Sequence, residues 1–261
     1  GGTVDLENQR AGVPGYVAFS PRETRLLVTA GDDLRLFDVA RRTWLLSMGR
    51  IQTASAFAAS PTDSHVAIIS TGSGLEIWAA GSVPQWLCGS VRYDMTPGAA
   101  AWLPSGKRVV FTGPSDAPEL WGLQQRVARL NVTGMKWTRP VVRVTSDGAV
   151  AVASGDGTVA LFDGDTGKAK SVLRKPLVKG DAGTSAVAAL SPDDRRFAVA
   201  TGFGELTVFD LGGRTALDLV VASSPPSPAG AVVWSPDGAR LAYESAGGVF
   251  VIPAPEAAPK G

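Results

Sequence analysis

A unit of about 43 residues recurs along the 261-residue chain, and this periodicity constrains the fold more than any other feature. Each copy has an apolar strand, a turn rich in Ser, Pro, Asp and Gly, and a second apolar strand. Aligned on the residue that opens the turn, the six copies start at Ser20, Ser60, Leu103, Thr145, Ser191 and Ser235. The intervals of 40, 43, 42, 46 and 44 residues indicate a repeat architecture.

Each copy continues into a third strand that ends on a large apolar residue, 17 or 18 residues after the alignment point. These residues are Phe37, Trp78, Trp121, Phe162, Phe209 and Ile252. Glycine-rich turns precede the third strands and suit tight hairpins, because glycine accepts positive φ without strain. Fourth strands are predicted at 43–48, 85–88, 127–130, 170–173 and 215–219. Alternating apolar and polar residues without a helical period predict an all-β chain.

Four strands in a period of this length are typical of a β-propeller blade. The sixth copy shows only three strands, and the alternating segment Thr3-Val4-Asp5-Leu6-Glu7 is suited to supply the missing outer strand. We therefore predict a six-bladed β-propeller with four antiparallel strands per blade, whose last blade is closed within residues 1–12. The predicted domain spans residues 1–252, and the Pro/Ala-rich residues 253–261 are predicted to be a linker or tail. The alternative is a larger ring with further blades outside this sequence.

Three third strands end in Phe-Asp, which resembles the Trp-Asp dipeptide of WD40 repeats; the pairs are Phe37-Asp38, Phe162-Asp163 and Phe209-Asp210. The other three copies lack the aspartate and read Trp78-Ala79, Trp121-Gly122 and Ile252-Pro253. No Gly-His dipeptide precedes a first strand, so the hydrogen-bonded tetrad of the family is not expected. The last copy, WSPDGARLAYES, is equally similar to TolB-like propellers. The WD40 resemblance implies a scaffold or recognition domain, part of a larger signalling or effector protein.

The chain has a single histidine, His65, and a single cysteine, Cys88, which excludes most familiar catalytic and metal-binding arrangements. His65 starts a predicted second strand where four of the five other copies carry arginine, so we interpret it as an exposed polar residue. Cys88 is predicted to be a small buried hydrophobic residue. The segment from Gly164 to Lys168 is interpreted as a hairpin turn, because no helix follows to bind a phosphate. We predict no cofactor and no metal.

Four carboxylates occur in the loops between second and third strands: Asp32, Asp33, Asp156 and Glu205. In a propeller these loops share one face, so a hydrolase or lyase at the channel mouth is one alternative function. A small-ligand-binding sensor is another. Turn chemistry explains the aspartates equally well, since Asp side chains bond their own backbone in hairpins, and we predict that the chain is not an enzyme.

Basic residues concentrate in the connections that lead from one blade to the next. Six lie between residues 89 and 184, with Tyr93 and Trp137 among them, and these residue types often anchor interfaces. The predicted partner-binding residues are Arg92, Tyr93, Lys136, Trp137, Arg139, Arg174, Lys175 and Lys179. We predict a non-catalytic interaction module that takes a protein or acidic peptide. A solvated, salt-bridged surface is the alternative.

The charge balance, 25 basic against 24 acidic residues, argues against a nucleic-acid partner. No apolar run approaches the roughly 20 residues needed to cross a bilayer. We therefore expect a cytoplasmic protein without a membrane span, and we favour a monomeric ring.

Overall fold

The structure is a computed structural model, and all of the regular structure that it describes is β-strand. It describes residues 14–19, 25–30, 33–48, 54–62, 65–70, 74–79, 85–89, 100–113, 117–133, 137–155, 157–173, 186–201, 205–212, 215–217, 230–245 and 248–256. Within these ranges no helix is long and apolar enough to cross a membrane. The prediction of an all-β chain is confirmed. The chain divides into two compact units, residues 1–94 and 95–261.

The first unit holds two four-stranded antiparallel sheets. Sheet 1 runs β1-β2-β3-β4, with strands Pro14–Phe19, Arg25–Ala30, Asp33–Asp38 and Thr43–Met48. Sheet 2 runs β5-β6-β7-β8, with strands Ala54–Ala59, His65–Ser70, Gly74–Ala79 and Gln85–Gly89. Leu27, Leu34 and Leu36 of sheet 1 form one buried cluster with Val66 and Ile68 of sheet 2.

The second unit holds three further four-stranded antiparallel sheets and one of three strands. Sheet 3 contains β9 to β12: Ala100–Trp102, Arg108–Phe111, Glu119–Gly122 and Arg126–Arg129. Sheet 4 contains β13 to β16: Val141–Val144, Ala149–Ala153, Val159–Asp163 and Ala169–Leu173. Sheet 5 contains β17 to β20: Ala186–Leu190, Arg196–Thr201, Leu206–Asp210 and Thr215–Leu217. Sheet 6 contains β21 to β23: Val232–Trp234, Arg240–Ser245 and Gly248–Pro253.

Successive sheets of the second unit pack face to face through three apolar clusters. Phe162 is fully buried between sheets 3 and 4, and Phe209 between sheets 4 and 5. Leu206 and Leu241 belong to the cluster between sheets 5 and 6. The first strands β9, β13, β17 and β21 lie side by side in that order. Side chains alternate between the two faces of a sheet along each strand, and each face packs on a different neighbouring sheet.

The repeat alignment predicts where the second strands begin. They start at Arg25, His65, Arg108, Ala149, Arg196 and Arg240, one aligned position in all six copies. The first of the fourth strands, 43–48, has the predicted bounds, and the next three differ from the predicted bounds by one residue. A bulge recurs in sheets 1 to 4 opposite the third-strand aromatic residue. At each bulge one residue of the fourth strand has no paired residue on the third strand: Leu45, Leu87, Val127 and Lys170. Residues 218 and 219 of the predicted fifth outer strand lie outside the described residues.

A side-chain hydroxyl fixes the first hairpin turn in sheets 4, 5 and 6. The backbone N–H that opens the second strand donates to the hydroxyl oxygen at the alignment point, over 2.9 Å in each case. The pairs are Ala149 with Thr145, Arg196 with Ser191, and Arg240 with Ser235. Each hydroxyl in turn donates to the aspartate two residues later. The Ser/Thr-x-Asp pattern of the repeat is therefore a turn motif.

Sheet 6 differs from the other sheets in its third strand. Val249, Phe250 and Val251 of β23 are 72%, 42% and 61% exposed, whereas the strand Leu206–Asp210 of sheet 5 is buried throughout. β23 is the edge of a sheet with three described strands. The segment Thr3–Glu7, which we predict as its partner, lies outside the described residues.

The start of the predicted tail is held against the sheets. Pro253 ends β23, and the Ala254 N–H donates to the Ala239 carbonyl over 2.9 Å. The Pro255 carbonyl accepts from Arg196 Nη1 at 3.0 Å. Hydrogen bonds therefore hold the described chain through Pro255, and the domain boundary at residue 252 stays a prediction. The remainder of the tail, from residue 257, lies outside the described residues.

Candidate interaction surface

Two of the eight predicted partner-binding residues, Trp137 and Arg139, lie in the described part of the chain. They belong to the connection from sheet 3 to sheet 4. The other six lie outside it: Arg92, Tyr93, Lys136, Arg174, Lys175 and Lys179. The structure therefore describes one short piece of the predicted surface, and the role of the whole set stays a prediction.

Trp137 is a core residue of the second unit. Its side chain is 6% exposed and packs between sheets 3 and 4. Its ring centroid lies 6.2 Å from that of Phe162, with the two planes tilted by 47°. The ring is therefore buried in this structure and anchors the connection to the core. Its part in binding a partner stays a prediction.

The residues on either side of Arg139 are also fixed. The Thr138 N–H donates to Ser154 Oγ at 3.2 Å, and the Thr138 carbonyl accepts from the Gly155 N–H at 2.7 Å. Both partners follow the second strand of sheet 4 directly. Pro140, on the other side, is buried. The connection is thus bound to the end of sheet 4 that carries the turn between β14 and β15.

Arg139 itself is exposed and has φ of 43°, a conformation that is uncommon for residues other than glycine. No ion pair or hydrogen bond of its guanidinium is found among the described residues. The anchoring of Trp137 and Thr138 holds this backbone in place. The geometry therefore presents, from a fixed backbone, a cation that has no partner in the described part of the chain.

Of the four loop carboxylates, one, Glu205, has a described side chain. Asp32 and Asp156 lie outside the described residues, and only the backbone of Asp33 is described. Glu205 is half-buried. No group of three His, Cys, Asp or Glu side chains that could hold a metal ion occurs among the residues that the structure describes.

Cys88 is buried and the segment after Phe162 is a turn, as predicted. His65 is less exposed than predicted. Cys88 is 5% exposed, and burial raises the pKa of its thiol. In the turn, Asp163 Oδ1 accepts from the Thr166 N–H at 2.8 Å and Gly167 has φ of 72°. His65 opens its strand as predicted, yet it is half-buried, and burial lowers its pKa.

A carboxylate–tryptophan pair in sheets 2 and 3 was not predicted. Trp78 Nε1 donates to Glu76 Oε2, and Trp121 Nε1 donates to Glu119 Oε2, each over 2.9 Å. Glu119 is 2% exposed and also accepts from the guanidinium groups of Arg126 and Arg129. The pattern Glu-x-Trp at the end of a third strand was the available sequence signal.

Two arginines at second-strand starts each bind the next sheet. Arg108 Nη1 of sheet 3 donates to Asp165 Oδ1 of sheet 4 at 2.8 Å and also to the Asp165 carbonyl. Arg196 of sheet 5 donates to two carbonyls of sheet 6, those of Pro255 at 3.0 Å and Gly238 at 2.9 Å. Asp165 and Pro255 are equivalent positions, three residues after the end of the third-strand pattern. These arginines therefore serve the packing of sheets.

Comparison with known proteins gives the fold. No family model matches the sequence, and no curated protein matches it either. Among solved structures, the chain is similar to the C-terminal WD40 domain of Sif2, with a TM-score of 0.68 over 93% of this chain and 70% of that one. The chain has a WD40-like β-propeller fold.

The chain shares the WD40-like fold with the Sif2 domain, although the two sequences are 15% identical. Divergence of this extent is consistent with the missing aspartates and Gly-His dipeptides. It also means that the similarity establishes the fold and not the role, since propellers host unrelated functions. The function must be argued from the surface.

Proposed function

We propose that this WD40-like chain is a non-catalytic protein-interaction module that binds an acidic protein or peptide through the connections between its sheets. The observation that carries the proposal is the presentation of Arg139. Its guanidinium is exposed and has no carboxylate partner among the described residues, while its backbone is held by Trp137 and Thr138. A guanidinium matches a carboxylate with two parallel hydrogen bonds.

The fixed backbone favours binding on energetic grounds. A loop that is already ordered pays less conformational entropy when a partner docks on it. The five predicted bases outside the described residues, Arg92, Lys136, Arg174, Lys175 and Lys179, would add a positive potential around Arg139. Such a potential steers an acidic partner and selects against basic ones.

The test is a charge reversal with a matched control. Arg139→Glu, Arg174→Glu and Lys175→Glu are combined and compared with Lys107→Glu, Lys168→Glu and Arg240→Glu, three exposed bases at the opposite ends of the strands. A fluorescent glutamate-rich peptide is titrated by anisotropy at low and at high salt. We expect the first variant to lose both binding and its salt dependence, and the control to keep them. Equal binding by both variants contradicts the proposal.

The alternative functions give different results in the same experiments. A hydrolase or lyase that uses Asp32, Asp33, Asp156 or Glu205 would lose turnover when these carboxylates are changed to amides, and peptide binding would not change. A small-ligand sensor would respond to a ligand and not to the peptide. The exposed Arg139, for which the described ranges contain no carboxylate partner, favours the interaction module over both.

We further propose that the chain forms one ring of six blades over residues 1–252, closed by Thr3–Glu7 as the fourth strand of sheet 6. The exposed edge strand β23 supports this, because Val249, Phe250 and Val251 would be covered by a paired strand and a neighbouring sheet. An uncovered apolar edge of this kind is prone to aggregation. The alternating pattern of the N-terminal segment matches the pleat of such an edge.

Removal of residues 1–12 tests the closure. We expect the truncated chain to melt at a lower temperature and to regain stability when a peptide of residues 1–12 is added in excess. A scrambled peptide of the same composition is the control. An unchanged melting temperature after truncation would show that the segment does not complete sheet 6.

A further inference from the structure

One charged residue interrupts an otherwise apolar position on the first strands. Two residues before the alignment point, five copies carry small apolar residues: Ala18, Ala58, Ala101, Ala189 and Val233. The sixth carries Arg143, on β13 of sheet 4. Since β9, β13 and β17 lie side by side, the equivalent residues on the two neighbouring strands are Ala101 and Ala189.

The surroundings of Arg143 are apolar. It lies directly opposite Ala151 on β14, so the two side chains share one face of the sheet. Ala151 belongs to the cluster that also contains Ala188 of the neighbouring sheet. The Arg143 side chain is half-buried, and this burial lowers the pKa of the guanidinium.

The guanidinium of Arg143 makes one hydrogen bond within the described part of the chain. Nη1 donates to the carbonyl of the preceding residue, Val142, over 2.8 Å. Among the described residues it has no further hydrogen bond and no ion pair with a carboxylate. Arg108 and Arg196 are different, because each donates to at least two acceptors of the next sheet. Arg143 therefore has donors that no described residue binds, and it lies on a strand that forms the edge of its sheet.

An arginine in this place costs folding free energy. Partial removal of a charge from water is unfavourable unless a partner of opposite charge is present. Alanine at the same repeat position satisfies the packing of the other strands, so the side chain is not required by the architecture. A carboxylate ligand would supply the missing charge, and a guanidinium fork recognises a carboxylate with two hydrogen bonds.

We propose that Arg143 binds the carboxylate group of a ligand whose short apolar body rests against the alanines of the first strands. The carboxylate occurs either in a small organic acid or in an acidic side chain of a peptide. The site is independent of the surface around Arg139, because it uses a first strand of the sheet and not a connection between sheets.

The experiment uses the whole chain and two sets of probes. The first set is the straight-chain monocarboxylates from acetate to hexanoate; the second is the capped tripeptide Ac-Ala-Glu-Ala-NH2 with Ac-Ala-Gln-Ala-NH2 as its control. Binding is followed by the Nε–Hε resonance of Arg143 in NMR spectra and by thermal shift. The variants are Arg143→Ala, Arg143→Lys and the matched control Arg240→Ala, which changes an exposed arginine of a second strand.

We expect wild type and Arg240→Ala to bind one set of probes, and Arg143→Ala to bind it at least about tenfold more weakly, with Arg143→Lys between them. Binding of the monocarboxylates identifies a small acid as the source, and binding of the glutamate peptide alone identifies a peptide. The unliganded Arg143→Ala chain should melt no lower than wild type. The proposal is overturned if no probe shifts the Arg143 resonance, if Arg143→Ala binds as wild type does, or if Arg143→Ala melts lower without ligand, since a lower melting temperature marks a structural cation.

Discussion

The Asp194 carboxylate accepts a hydrogen bond of 2.6 Å from the backbone N–H of Ser146, which joins the first turn of sheet 5 to that of sheet 4. Asp194 has φ of 56°, at a turn position where the equivalent residues Gly106, Gly148 and Gly238 have φ between 65° and 85°. An aspartate therefore stands in a conformation that suits glycine. Its contact with Ser146 offsets that strain.

Substitutions at Asp194 separate the two effects. Asp194→Gly relieves the strain and loses the bond, so we expect a small loss of stability; Asp194→Ala keeps the strain, loses the bond and should cost about 2 kcal/mol. Asp194→Asn tolerates the conformation and keeps an oxygen acceptor, and it should lie near wild type. Urea denaturation at neutral pH measures the order. A glycine variant clearly more stable than wild type would show that the strain at Asp194 outweighs the contact with Ser146.

Arg196 joins sheets 5 and 6 more strongly than a surface arginine would. Its side chain is 11% exposed, donates to the Gly238 and Pro255 carbonyls, and lies 4.6 Å from the centroid of the Trp234 ring. Arg196→Met keeps the aliphatic stem and should cost about 2 to 3 kcal/mol. The control is Arg240→Met, at the same repeat position but exposed, which should stay within about 0.5 kcal/mol of wild type. Equal losses would rule out the inter-sheet role.

Glu119 and Glu76 occupy equivalent positions of the repeat, but their side-chain interactions differ. Both accept from a tryptophan Nε1, but Glu119 also pairs with Arg126 and Arg129. Glu119→Ala leaves the indole N–H of the buried Trp121 without its acceptor, and we expect a loss of about 2 to 3 kcal/mol. Glu76→Ala should cost about 1 kcal/mol. Thermal melts of the two variants, with Trp fluorescence as the probe, compare them; the reverse order contradicts this account.

The ionisation of Asp147 makes the stability of the fold depend on pH in the acidic range. The Thr145 hydroxyl and the Ala149 N–H bind its carboxylate and hold its pKa below the ordinary 3.8. A carboxyl whose pKa is lower in the folded state than in the unfolded chain stabilises the fold above the unfolded pKa. That contribution is lost as the pH falls from about 4 through the folded pKa. Thr145→Val should therefore raise the pKa of Asp147, as measured by NMR titration.

Asp237 provides the internal control for that titration. Its pKa is lowered mainly by the hydroxyl of its own turn, Ser235. It should titrate as in wild type when Thr145 is replaced. A rise at both aspartates would indicate a general change in the fold and not the loss of one hydrogen bond.

The repeat made most of the strand order predictable. A strand is predicted from alternating apolar and polar residues followed by a turn, and both signals lie within a few residues. The second strands therefore start at His65 and at its five equivalents, as the alignment predicts. The bulge opposite Trp121 was not predictable in this way. It depends on how the wide third-strand side chain is accommodated by the neighbouring strand, which a sequence pattern does not encode.

The burial of Trp137 was not predictable from composition. Trp137 lies among basic loop residues, and tryptophan is suited to an interface and to a core alike. Its burial depends on Phe162 of the next sheet, 25 residues away. The contact of Arg108 with Asp165 spans 57 residues and is equally invisible in a local pattern. Arg143 could have been found, because its five equivalents are all small and apolar.

The binding of Pro255 by Arg196 has a practical use. Two contacts, Ala254 with Ala239 and Pro255 with Arg196, fix the chain beyond the last strand to both sheets 5 and 6. A fluorophore attached directly after Glu256 would therefore share the rotational motion of these sheets, and its anisotropy would report on their tumbling. In an Arg196→Met background the same label should depolarise faster, which turns a packing contact into an optical readout of how firmly the two sheets are joined.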